Sequence, residues 1–229
     1  MVTLRVKNQK VSIKTSYKEL KAKDLEIDET SPRSILAGLS DAKPGLIDSL
    51  SAEEIASLYP LISFIENPQE AALYLPFRFN PEIVDIASES FEKIELAKRA
   101  GETFKKPFRV LPELCNVYYG YKPERPAAEA LALGALIMDQ MATFFDRFKD
   151  LAGDPPDEDQ QEAGIDALHT FGPYGIAESI AARYGCRPLE VFSWSAEEVY
   201  MNMLYSQARN RYQENLREIE KRKSAPARK

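Results

Sequence analysis

The opening of the chain alternates apolar and polar residues, and from Ser16 onward the period changes to that of a helix. Leu4 and Val6, then Val11 and Ile13, are apolar, with Arg5, Lys7, Ser12 and Lys14 between them. This alternation predicts strands over Thr3–Lys7 and Lys10–Lys14, joined at Asn8-Gln9 in a hairpin with one buried face. A lone hairpin is marginal in water, so it has to pack on the rest of the chain. Beyond Ser16 the periodic segments read as helices, separated by loops. The expected fold is therefore mostly α: a helical domain with an N-terminal β-hairpin.

Start and stop signals divide the helical part. Ser16 with Glu19, Ser51 with Glu54, and Ser195 with Glu198 each have the spacing of a capping box, in which side chain and backbone satisfy each other at a helix start. In "SPRSILAGLS" Pro32 sits near the first turn, with Ile35, Leu36 and Leu39 on one side. In "LSAEEIASLYPLISFIEN" the stripe is Ile55, Leu58, Ile62 and Ile65, and Pro60 is expected to kink or split the helix. Residues 88–100 read as helix with Gly101 as C-cap. "FRVLPELCNVYYGYKP" offers a face of Val110, Leu114, Val117 and Tyr118, with Pro112 early and Gly120 at the end. "PAAEALALGALIMDQMATFFDRFKDLAG" is one long core helix or two abutting ones. Pro173 to Tyr184 is a helix ended by Gly185, and Pro188 opens a short one.

The segment order gives 1–67 as the hairpin plus short helices and 68–152 as a central helical region. An acidic loop (153–164), a C-terminal helical region ending in a long helix (165–223) and a basic tail (224–229) complete the chain. The stretch "PQEAALYLPFRFNPEIVD" (68–85), with three prolines, is the best internal boundary.

Composition narrows the function. The 229 residues are 44% hydrophobic and 29% charged, which suits a globular chain with a real core. A formal charge of −6 provides no global attraction to nucleic acid. The basic run Lys221, Arg222, Lys223, Arg228 and Lys229 reads as a solvated end. Cys115 and Cys186 are unclustered, which suits buried thiols in a reducing compartment. No signal-peptide pattern opens the chain, and no uninterrupted apolar run approaches the roughly 18–20 residues of a membrane helix. A soluble, intracellular protein that contacts neither nucleic acid nor membrane is expected.

The residue types that carry chemistry are sparse. His169 is the sole histidine, and no motif places it with Cys115 as a nucleophile–base pair. Asp154, Asp157, Glu158 and Asp159 lack calcium-loop spacing. Glu53/Glu54 and Glu197/Glu198 lie in first turns of capped helices, where the macrodipole favours negative charge. "FGPYG" has neither the preceding strand nor the Lys-Ser/Thr of a phosphate loop. The expectation is no catalytic centre, no metal and no cofactor.

The last helix, "SWSAEEVYMNMLYSQARNRYQENLREIEKRK", is different in kind. Val199, Met203, Tyr212, Leu216 and Ile219 read as one broad face, widened by Met201, Leu204 and Tyr205. Up to about Leu204 this is expected to be core. Beyond Ala208 the stripe narrows among dense charges, as in an arm or a seam for a partner.

The order of segments resembles the tail assembly chaperones of long-tailed bacteriophages and prophages. The resemblance rests on "LRVKNQKVSIKTSYKEL", "SILAGLS…LSAEEIASLYPLISFIENP", "VLPELCNVYYGYKP…MATFFDRF" and "IAARYGCRPLEVFSWSAEEVYMNML…ARNRY", and covers nearly the whole chain. It implies a non-enzymatic protein in the cytoplasm of the bacterial host that coats the tape-measure protein and recruits tail-tube subunits. Surface chemistry then nominates Tyr200, Met203, Tyr205 and Tyr212 as protein-binding residues, supported by Arg209 and Arg211. A homo-oligomer is compatible with this. A structural virion component (a neck, ring or tail-completion adaptor) and a helical enzyme of unknown chemistry are the alternatives.

Overall fold

The computed structural model describes residues 1–7, 9–25, 31–43, 45–75, 81–104, 106–151 and 158–224, apart from the side chains of Gln69, Asp159, Gln160, Asp166, His169 and Ser224. It is mostly helical with a two-stranded antiparallel hairpin at the N-terminus, as the periodicity indicates. The chain forms two compact units, neither of them contiguous in sequence. Unit 1 is Met1–Val84 with Leu96–Gln140, and unit 2 is Asp85–Glu95 with Met141–Lys229. The units therefore cut across the linear segments, because two helices each begin in one unit and end in the other.

Unit 1 starts with strands β1 (Val2–Val6) and β2 (Gln9–Ile13), paired Val2↔Ile13 through Val6↔Gln9. The pairing runs as far as Val6↔Gln9, so Gln9 belongs to β2 and not to the turn, and the chain leaves β1 at Lys7. Lys7 has φ of 44°, the left-handed geometry such turns require. Asn8 itself lies outside the described residues. Val6, Val11 and Ile13 are buried. Asp41 ties β2 to the chain after the first helix: its Oδ1 accepts from Ser12 N at 2.6 Å, and its N–H donates to Ser12 O at 3.1 Å.

The segment after the hairpin forms two 3-10 turns, Tyr17–Glu19 and Ala22–Leu25, instead of an α-helix. Ser16 makes no capping bond. Glu19 instead accepts from Thr15 N at 2.8 Å and pairs with the N-terminal ammonium. Backbone bonds from Ala22 N to Arg125 O (2.7 Å) and from Ala127 N to Leu20 O (3.1 Å) take up groups that a continuous helix would use internally. Tyr17, 1% exposed, is the hub of this region. Its hydroxyl donates to Ile65 O at 3.0 Å, and its ring meets Phe64 edge-on at 5.1 Å. Burial raises its ionisation well above the ordinary phenol range.

Helix α1 (Pro32–Leu39) is capped by Ser31, whose hydroxyl accepts from Ser34 N at 3.2 Å, and buries Ile35, Leu36 and Leu39. Helix α2 (Ala52–Leu58) has a complete capping box between Ser51 and Glu54. Pro60 ends it as expected, and the chain continues in 3-10 turns at Tyr59–Leu61 and Ser63–Glu66 that keep Ile62 and Ile65 buried. The backbone N–H of Ser51 holds the Glu54 carboxyl below its usual range. A lowered folded value means this stabilisation is complete above the unfolded pKa, about 4.3, and fades as pH falls through the folded one. Glu54→Gln removes that contribution, so it is expected to lower the melting temperature modestly at neutral pH and to converge on the parent chain as pH falls toward about 3. Melts followed from pH 7 to pH 3 check this.

Helix α3 (Phe91–Thr103) runs two residues past Gly101, so that glycine lies inside the helix and is not its cap. Helix α4 (Pro107–Tyr119) starts at Pro107, which places Pro112 in its interior. Its buried face is Phe108, Leu111, Leu114 and Cys115, whereas Val110, Val117 and Tyr118 are half-buried. Phe108, Leu111 and Cys115 recur at spacings of three and four residues and so share one face, from which Val110 and Val117 are turned away. Gly120, with φ of 76°, closes the helix.

Helix α5 (Ala127–Asp146) is a single helix. It is long and apolar enough, by length and composition, to cross a bilayer. Glu129 and Asp139 interrupt its apolar sequence, and in unit 1 Ala127, Ala130, Leu131, Leu133 and Ile137 are buried, as in a core helix. At Gly134 it meets α4 directly, since a Cβ there would fall 1.9 Å from Leu111 O.

Unit 2 adds the short helices α6 (Glu158–Glu162) and α7 (Ile165–His169), then α8 (Pro173–Tyr184), α9 (Pro188–Val191) and α10 (Ala196–Ser224). Gly185 ends α8 with φ of 68°, as its position predicts. The core of the unit is Phe91, Ile94, Phe144, Ile180, Val191 and Val199, with Tyr200 at its aromatic centre. Asp154 and Asp157 of the acidic run lie outside the described residues.

Candidate protein-binding site

The longest helix, α10, is fixed at its start by contacts within unit 2. Ser195 Oγ accepts from Glu198 N at 3.2 Å, which is the cap half of the expected box. Ala196 N donates to Glu89 O at 2.7 Å and Glu197 N to Ala87 O at 3.0 Å. Glu197 also pairs with Arg147, so this first-turn carboxylate serves structure. Ala196, Val199 and Tyr200 turn inward and are buried.

Tyr200 belongs to the core and not to a binding surface. It is 7% exposed, and the rings of Phe144, Phe145 and Phe148 lie 5.4, 5.6 and 5.2 Å from its own. Phe91 closes the cluster at 6.3 Å. Burying this many aromatic faces requires the first turn of α10 to point Tyr200 at α5, where no partner reaches it.

Met203 also leaves the proposed face. It lies nine residues before Tyr212, which at about 100° per residue puts the two on opposite sides of the helix. Met203 therefore continues the buried side with Val199 and is half-buried. Val199 is likewise about 140° from Tyr212, about 160° from Ile219 and about 100° from Leu216, so the broad single face read from the sequence divides into a core side and an outer side.

The outer face is a continuous apolar stripe. Met201, Tyr205, Ala208, Tyr212, Leu216 and Ile219 fall within about 80° of one another. Tyr205 is 61% exposed and Tyr212 65%, and every residue from Ala208 to Lys223 is exposed. Arg209 and Arg211 flank the stripe on its two sides. Four of the six nominated residues, Tyr205, Arg209, Arg211 and Tyr212, are thus on or beside it. Met201, Leu216 and Ile219 extend it, and the signal for them is the seven-residue spacing of Tyr205, Tyr212 and Ile219.

The end of α8 fixes the stripe where it leaves the core. Arg183 lies over the Tyr205 ring at 5.7 Å and bonds Asn202 and Ser206, while Tyr184 Oη donates to Asn202 Oδ1 at 2.9 Å. Sequence reasoning passed over Arg183 and Tyr184, because nothing local links them to a residue about twenty positions on.

Burial raises the Cys115 thiol above its usual range, and Arg125 contacts its sulfur. Glu158 lies in α6, and among the described residues no group of three metal-ligating side chains converges. Unit 1 has an apolar cleft of about 360 Å³ lined by Pro68, Ala71, Leu111, Leu131, Ala135 and Met138, among other residues, and no titratable group lines it. Comparison with known proteins finds no family model, no curated protein and no solved structure that matches this chain.

Proposed function

We propose that this chain is a non-enzymatic protein-binding factor in bacteriophage tail morphogenesis, a tail assembly chaperone that holds the tape-measure protein. The observation that carries the binding reading is the exposed stripe of α10. It continues for about four turns past the last half-buried residue of the helix. An isolated helix of that length is marginal in water, so a stripe kept exposed on it is best explained by a partner. A tape-measure helix with its own apolar stripe is such a partner, packed seam to seam. The assignment to tail assembly rests on the order of segments along the chain.

Co-expression with the long, helical product of a neighbouring reading frame tests the proposal. The frame's product is expected to stay soluble with this chain and to aggregate without it. Tyr205→Ala combined with Tyr212→Ala is expected to weaken capture at least about tenfold, as loss of two aromatic anchors does, with helix content unchanged by circular dichroism. Finding the chain in purified virions would replace the chaperone with a structural component.

A further inference from the structure

The stripe of α10 carries a charge pattern that specifies a second occupant. Read as a seven-residue repeat, its central positions are Met201, Tyr205, Ala208, Tyr212, Asn215, Ile219 and Arg222. Leu204, Arg211 and Glu218 border one side, and Asn202, Arg209, Leu216 and Lys223 border the other. From these positions we infer that α10 pairs antiparallel with α10 of a second copy, centred between Gln213 and Glu214.

In that register the borders are complementary. Antiparallel helices set like borders against each other, so Arg211 of each copy faces Glu218 of the other, twice by symmetry. Leu216 faces Arg209, whose aliphatic stem covers it. The central positions match in size and chemistry. Ile219 meets the small Ala208, Tyr212 meets Asn215, and Arg222 lies over the ring of Tyr205. Glu218, which pairs with Arg222 of its own helix at 3.1 Å, exchanges that exposed partner for Arg211 of the second copy.

The neighbouring registers are disfavoured by the same charges. A shift of one repeat toward the start of α10 sets Arg209 against Arg209 and Arg211 against Arg211. A shift toward its end sets Glu218 against Glu218. Parallel pairing brings the two Arg222 side chains together in the seam. Like charges at these distances destabilise a pairing by about as much as opposite charges support it. Of these arrangements, the register centred between Gln213 and Glu214 is the one without such a clash.

The contact spans Tyr205 to Arg222, about 27 Å of helix. That is small for a protein interface and includes a central asparagine, so the dimer is weak and exchanges readily. It covers Tyr205 and Tyr212 until a partner displaces it. The pairing does not depend on the tail-assembly reading.

Sedimentation velocity on the full chain, from low micromolar to a few hundred micromolar, tests it. A monomer–dimer equilibrium weakened by salt is expected. Arg211→Glu or Glu218→Arg alone is expected to weaken dimerisation about tenfold, because each turns two attractive pairs into two repulsive ones. The double reversal is expected to restore it to within about threefold. Circular dichroism confirms that the variants keep their helix content. A monomer at every concentration overturns the pairing, as does a dimer indifferent to the reversals or additive losses in the double variant. A chain that dimerises but captures no tape-measure helix removes the capture reading alone, and a monomer that captures one removes the pairing alone.

Discussion

Gly134→Ala is expected to destabilise unit 1 by about 3 kcal/mol, although alanine is the better helix former. In a free helix interior the exchange would gain up to about 1 kcal/mol. At Gly134 the new Cβ would lie 1.9 Å from the carbonyl oxygen of Leu111, 2.5 Å from its carbonyl carbon and 2.7 Å from its Cα. These are backbone atoms, so no side chain can rotate out of the way. Helices α4 and α5 have to separate, and the packing of Leu111 and Leu131 loosens with them. Gly101→Ala is the matched control. It also lies inside a helix, a Cβ there meets nothing within 4 Å, and the variant is expected to gain stability. Urea unfolding of the two variants against the parent chain checks both, with the midpoint shifts opposite in sign.

The features legible in the sequence were those settled by neighbours in the chain. Ser51 and Glu54 satisfy each other's backbone within one turn, Pro60 cannot extend a helix, and Gly185 adopts a left-handed conformation at little cost. Each appears in the structure where local chemistry puts it. Ser16 and Glu19 have the same local pattern and fail, because distant backbone at Arg125 and Ala127 competes for their segment. The interleaving of the two units was not legible either, since no residue in α3 or α5 marks where one unit ends and the other begins. For the candidate site, the seven-residue spacing of Tyr205, Tyr212 and Ile219 was in the sequence throughout. Which side of α10 faces the core was not, because Val199 and Tyr212 are both apolar and only packing separates them.

Tyr200→Ala and Tyr212→Ala separate those two faces by experiment. The residues are of one type, on one helix, twelve positions apart. Tyr200 is surrounded by Phe91, Phe144, Phe145 and Phe148, and truncation leaves a cavity that these rings cannot collapse to fill. Its replacement by alanine is expected to cost about 3–5 kcal/mol and to flatten the near-ultraviolet circular dichroism of the aromatic cluster. Tyr212 is 65% exposed, so its replacement is expected to move stability by no more than about 0.5 kcal/mol. Tyr200→Phe retains the ring and is expected to hold most of the stability that alanine loses. Urea unfolding measures all three. A large loss at Tyr212 would make the outer stripe part of the core and withdraw it as a docking face. A small loss at Tyr200 would mean that the aromatic cluster does not anchor α10, and the stripe would then have no rigid base from which to present Tyr205 and Tyr212.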